Sequence, residues 1–130
     1  MDFNFPKRQR LSLKKDIDNL LEKGEVLFIY PFKVYYRVEN GEIINRSMFS
    51  VPKKNFKRAV KRNLIRRRIK EAYRLNNNML KEGIKMDILF VYISKEINEF
   101  DQINSRMQEV LVKLNRSIKE NNIISVHTLD

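Results

Sequence analysis

Residues 87–93 read Asp-Ile-Leu-Phe-Val-Tyr-Ile, an almost unbroken apolar run. A strand with one wet face alternates apolar and polar side chains, whereas a central strand covered on both faces does not. The run therefore predicts a buried central strand, which in turn requires layers of structure on either side of it. Strand signals precede it at VLFIY (26–30) and from Phe32 to Glu39. Helical spacing surrounds these strands. Ser12 is an N-cap candidate for a helix whose Leu13, Ile17, Leu20 and Leu21 share one face and which Gly24 closes. A last helix from about Glu99 places Phe100, Ile103, Met107, Val110, Leu111, Leu114 and Ile118 on one stripe. That stripe is read as core.

Asn40-Gly41 is the strongest short hairpin signal in the chain, because both residues tolerate positive φ. Pairing about that turn sets Val38 opposite Ile43, Tyr36 opposite Asn45, Val34 opposite Ser47 and Phe32 opposite Phe49. This set reads as the core face. The other face then carries Lys33, Tyr35, Arg37, Ile44, Arg46 and Met48, aromatics mixed with cations, as suits unpaired bases and phosphates. An ordinary wet sheet face is the competing reading.

Between the strands lies the segment Lys53 to Arg74, KKNFKRAVKRNLIRRRIKEAYR. Eleven of its 22 residues are Lys or Arg and only Glu71 is acidic, so it holds +10 of the formal +11. Lys7, Arg8, Arg10, Lys14 and Lys15 form a second basic cluster. Charge this concentrated points to a polyanionic partner. On a helix, Asn63, Arg66, Arg67, Lys70 and Arg74 share one flank. Ile65, Ile69, Ala72 and Tyr73 form an apolar stripe on another side, with Val60, Leu64 and Leu75 a smaller one. Two apolar edges predict a helix wedged between two neighbours. Arg66–Lys70 and Lys70–Arg74 are like-charged i, i+4 pairs, which weaken an isolated helix. A bound phosphate backbone offsets that repulsion better than solvent does.

The whole chain of 130 residues is expected to be one α+β domain of order α-β-β-β-α-β-α, with a core over about 5–118 and a tail over 119–130 that is either disordered or an edge strand. It has no cysteine and one histidine, His127. Thiolate chemistry and multi-histidine metal sites are thereby excluded, and a Ser-His-Asp triad would need more than a lone histidine in the tail. The carboxylates look scattered: Asp16 and Asp18 face apart on a helix, and Asp87 stands alone beside a strand. A two-metal nuclease needs several that converge. No glycine-rich phosphate loop exists, since Gly24, Gly41 and Gly83 fall at caps or turns. No apolar run reaches spanning length and residues 1–10 lack a signal-peptide core, so a cytoplasmic protein without a membrane partner or small-molecule substrate is expected. Any reaction must be catalysed by a partner.

The basic segment KRAVKRNLIRRRIKEAYR closely resembles the signature of the bacterial ribonuclease P protein component: paired lysines, a short loop, then Ala-Val-x-Arg-Asn-Arg-x-Lys-Arg-x-x-Arg-x-x-Phe/Tyr. FPKRQRL (5–11) resembles the family's Phe-x-Lys-x-x-Arg-Leu opening. The resemblance implies a four-stranded sheet packed by helices with a left-handed βαβ crossover, a fold shared with a ribosomal-protein domain. It also implies the protein subunit of a magnesium-dependent endoribonuclease that removes the 5′ leader from precursor tRNA, the RNA partner being the catalyst and holding most of the magnesium. No protein side chain is expected to be catalytic or to bind metal. By position, Lys53, Lys54, Arg62, Asn63, Arg66, Arg67 and Lys70 are the implied contacts to ribonuclease P RNA, to which the basic segment itself adds Lys57, Lys61 and Arg74. Tyr35, Ile17 and Leu21 fall at the family's leader-cleft positions, and Lys7, Arg10, Arg37 and Arg46 complete the expected leader-binding cleft. The chain departs from the signature at Leu64, where an arginine is usual, and at Arg68, where an apolar residue is. Ile17 and Leu21 stand where the family often has Phe. A structural RNA-binding protein, such as a ribosomal one, is the alternative.

Overall fold

The computed structural model describes residues 14–38, 45–80 and 86–129, with side chains of the last helix described to residue 117. The elements run α1 (Lys14–Lys23), β1 (Glu25–Ile29), β2 (Phe32–Val38), β3 (Arg46–Ser50), α2 (Ala59–Asn76), β4 (Met86–Tyr92) and α3 (Phe100–Leu129). This is the expected α+β order. A single 3-10 turn, Asn77–Met79, follows α2 where three consecutive asparagines weaken the helix.

The sheet order is β1-β2-β4-β3. β4 pairs antiparallel with β2 and parallel with β3, so it occupies the middle that its apolar run predicted. The expected β2–β3 hairpin is thereby corrected. Val34 lies opposite Phe90 and Phe32 opposite Tyr92, while Ser47 lies opposite Ile88 and Phe49 opposite Phe90. Asn40-Gly41 itself lies outside the described residues, as do Ser12, Leu13, Ile43, Ile44 and Gly83. The faces nevertheless hold. Phe32, Val34, Tyr36, Ser47 and Phe49 are all buried. Alternation along a strand decides which side chains point inward regardless of which strand lies alongside.

α2 and α3 cover one face of the sheet. Their stripes, Ile65, Ile69, Ala72 and Tyr73 from α2 and Ile103, Met107, Val110, Leu111 and Leu114 from α3, join Phe32, Val34, Ile88, Phe90 and Tyr92 in one core. Phe49 stacks on Phe90 at 5.4 Å, and Tyr73 meets both rings edge-on at 5.5 Å. Burial raises the Tyr73 hydroxyl above its ordinary pKa, with the Ser47 hydroxyl offsetting part of the rise. Asn76 donates through Nδ2 to the Ala72 carbonyl and to Asn104 Oδ1, and accepts from Gln108 Nε2. These bonds close the C-terminal end of α2 against α3.

Among the described residues, the opposite face is covered by α1 alone. Leu20 packs on Leu89, flanked by Ile17, Tyr35, Met48 and Val91. Gly24 is required at the end of α1, because its N–H donates to the Leu20 carbonyl and a Cβ there would sit 2.4 Å from that oxygen. Two further expectations are corrected. The second apolar edge of α2 is not wedged: Val60 is 78% and Leu75 49% exposed, Leu64 being half-buried. The tail adds no edge strand over residues 119–129, because α3 continues through them as helix.

Candidate nucleic-acid interface

α2 starts badly for a helix. Arg58 at its N-cap makes no side-chain capping bond, and the first turn holds no acidic residue. The buried stripe of Ile65, Ile69, Ala72 and Tyr73 holds it instead, at roughly 1.5–3 kcal/mol for each large side chain removed from water. Fixing that stripe inward fixes the cationic flank outward. Arg67, Lys70 and Arg74 are exposed, and Arg66 is half-buried with Nη1 donating to Asn63 Oδ1 at 2.8 Å. That bond holds the guanidinium along the helix surface. Lys53 and Lys54 are exposed in the turn before α2, and Lys57 and Lys61 are exposed at its start.

Not every cation of the segment is equally available. Arg74 forms a two-bond pair with Glu71, both bonds at 2.8 Å, which lowers the Glu71 carboxyl below its ordinary pKa. Arg62 is half-buried, and its Nη1 donates to the carbonyls of Phe56 and Lys57 at 2.7 and 2.8 Å. It braces the loop entering the helix. Arg68 donates to the Asn98 carbonyl at 2.6 Å and ties α2 to the loop after β4. The departure from the family signature at Arg68 is thus a structural tie with an identifiable partner.

The second candidate region is the sheet face beside α1. Tyr35 is half-buried there, Ile17 packs against the Leu20–Leu89 pair, Arg37 is exposed and Leu21 is 47% exposed. Lys33 Nζ stands 5.0 Å from the Tyr35 ring centroid and 5.5 Å from that of Phe28. Phe28, 61% exposed on β1, belongs to this surface and was missed by the sequence reading. Its signal was its place in the β1 run, but only the register Phe28↔Lys33 assigns it to this face. Lys7 and Arg10 lie outside the described residues.

Arg46, also expected in the cleft, is engaged within the fold. Its Nε and Nη2 bind Asp87 at 2.9 and 3.0 Å, and its Nη1 binds Asp16 at 3.0 Å. The Arg46 side chain is 12% exposed and that of Asp87 4%. The Asp87 hydrogen bond, partly opposed by desolvation, raises the Arg46 pKa further, so the charge is permanent. Arg46 therefore joins β3, β4 and α1, and each of its three guanidinium nitrogens donates to a carboxylate. Phosphate would have to displace them. The same triad bears on metal binding: two carboxylates that looked scattered in sequence do converge, but an arginine stands between them. They do not fit magnesium, and no group of three metal-ligating side chains occurs among the described residues.

Compared with known proteins, residues 5–115 match the family described as Ribonuclease P. The Ribonuclease P protein component of Porphyromonas gingivalis (strain ATCC 33277) is 34% identical over 119 residues, covering 86% of this chain and 87% of that one. That of Petrotoga mobilis is 35% identical over 116 residues, covering 88% and 95%. Among solved structures, the RNase P protein from Thermotoga maritima superposes with a TM-score of 0.69 at 26% identity, covering 84% of this chain and 97% of that one. The Staphylococcus aureus RNase P protein gives 0.69 at 24% identity, a likeness of fold.

Proposed function

Since the chain belongs to the ribonuclease P protein component family, and so acts as an RNA-binding subunit in tRNA 5′ processing, we propose that the outward flank of α2 docks the catalytic RNA while the sheet face beside α1 holds the 5′ leader of precursor tRNA. The observation that carries this reading is the α2 flank itself: cations held outward on a helix whose opposite side is anchored in the core. Each phosphate neutralised there releases counterions, so affinity derives largely from this flank and falls steeply with salt. On the sheet face, Tyr35 and Phe28 offer rings for leader bases, and Lys33 between them neutralises a phosphate. Arg37 extends that surface, and Ile17 and Leu21 add apolar contact.

Cleavage belongs to the RNA partner in this reading. The described side chains supply neither a nucleophile–base pair nor a free carboxylate cluster, and the contribution of the protein is to bind and position. Magnesium is then held mainly by RNA phosphates, and none of the protein groups is assigned to it. The family match leaves a purely structural RNA-binding role unfavoured. The deciding experiment is reconstitution with ribonuclease P RNA at low magnesium, scoring 5′ cleavage of precursor tRNA. The protein should raise the cleavage rate, and an unchanged rate alongside tight binding to ribosomal RNA would overturn the proposal.

A further inference from the structure

Away from the flank and the sheet face, a cleft of about 540 Å³ opens between the start of α2 and the loop joining β4 to α3. Lys57, Arg58 and Lys61 line it from one side, and Lys95 and Glu96 from the other, with Phe56 at its edge. All four cations are exposed, and none forms an ion pair among the described residues. Four cations against one carboxylate leave the cleft strongly positive.

Both walls are held in place by bonds that do not use those cations. On the α2 side, Arg62 clamps the carbonyls of Phe56 and Lys57. On the loop side, the Tyr92 hydroxyl donates to the Glu96 carbonyl at 2.6 Å and accepts from the Asn98 N–H at 3.1 Å. The Glu96 N–H donates to Ser94 Oγ at 3.0 Å, and Arg68 ties the Asn98 carbonyl to α2. A loop this short could have been left free. Instead, Tyr92 and Ser94, both buried, fix its backbone, which places Lys95 on the same cleft as Lys61 and Arg58. Ordering these groups beforehand lowers the cost of binding.

We propose that this cleft is a second phosphate site, where a ribose-phosphate strand leaving the α2 flank turns across the helix start and is held between Lys61, Arg58 and Lys95. The proposal rests on the RNA-binding reading above. It adds Arg58 and Lys95 to the footprint and takes contact onto the β4–α3 loop, which lies beyond the basic segment in sequence. Lys95 acts as the far jaw of the site, and Glu96 limits its affinity.

The test measures affinity of the full chain for ribonuclease P RNA across a salt series. Lys95→Ala and Arg58→Ala should each lower the slope of log K against log salt by about 0.7–0.9, one phosphate contact. Glu96→Gln should tighten binding, and Arg106→Gln, a cation on α3 already paired with Glu109, should leave the slope unchanged. Unfolding midpoints within error of the parent exclude a folding defect. The absence of native cysteine allows a direct reading: Ile97→Cys, at the cleft rim, carries a tethered hydroxyl-radical source without removing a cation. RNA scission confined to one strand segment is the expected result. If Lys95→Ala leaves the slope intact while Arg67→Ala lowers it, the second site falls and the flank reading stands. If neither changes it, both fall. Equal losses from Arg106→Gln and Lys95→Ala reduce the effect to bulk charge and also overturn the site.

Discussion

Arg46 on β3 and Arg67 on α2 have the same side chain, and the sequence suggests the same RNA-binding task for both. Their surroundings separate them. Arg46 is enclosed by Asp87 and Asp16 and joins three elements, whereas Arg67 stands exposed on a helix flank. A guanidinium contributes to phosphate binding only if its donors are unoccupied when RNA arrives. A count of cations therefore overstates an interface, and carboxylates brought near by the fold decide which cations remain.

The largest expected effect tests the Arg46 side of that contrast. Arg46→Ala leaves the nearly buried Asp87 without its cation, a loss of about 3–5 kcal/mol when a buried pair is broken from one side. Urea denaturation should show this as a large drop in midpoint. Parent-like stability with weakened RNA binding would instead make Arg46 an RNA contact.

Arg67→Ala combined with Lys70→Ala should do the reverse. Stability changes by less than about 0.5 kcal/mol, as for surface substitutions. The salt slope for ribonuclease P RNA should fall by roughly 0.9 per lost contact on a duplex. A slope identical to the parent's would dissolve the distinction between the two arginines.

Tyr35→Ala tests the sheet face. Removing one stacked base costs about 1–3 kcal/mol, so affinity for precursor tRNA should fall about tenfold while that for mature tRNA stays level. Equal losses for both would show that the face does not read the leader.

Glu71→Gln has the smallest expected effect. It releases Arg74 from its two-bond pair, so RNA affinity should rise slightly. Because Arg74 lowers the Glu71 pKa below its unfolded value, the pair stabilises the fold above the ordinary carboxylate range. That contribution disappears as pH falls through the lowered value. Between neutral pH and acid, parent and variant should therefore converge in stability, the exposed pair being worth little. A variant less stable by the same amount at every pH would exclude the pair as the cause.

Much of the site was legible because side-chain direction follows from local periodicity. The 3.6-residue spacing of Ile65, Ile69 and Ala72 was enough to turn Arg67 and Lys70 outward, and the two-residue period of β2 was enough to place Tyr35 and Arg37 opposite Phe32 and Val34. Strand partners were not legible. Asn40-Gly41 favours a local hairpin, yet β4 lies between β2 and β3, because a strand apolar on both sides gains more from the centre than either neighbour does. The wedged second edge of α2 failed for a related reason. Val60 and Leu75 have helical spacing, but spacing does not say whether a neighbour is there.

The sequence by itself determined the element order, the inward and outward faces, the concentration of charge in one segment and the family signature, all of which depend on residues close together along the chain. Only the tertiary structure decided that Asp16, Arg46 and Asp87 meet, that Phe28 joins Tyr35 around Lys33, and that Lys95 and Lys61 line one cleft. The first and last join residues far apart in the chain, and the second depends on the β1–β2 register. Short-range pattern leaves them open until strand order and helix packing bring them within a few ångströms.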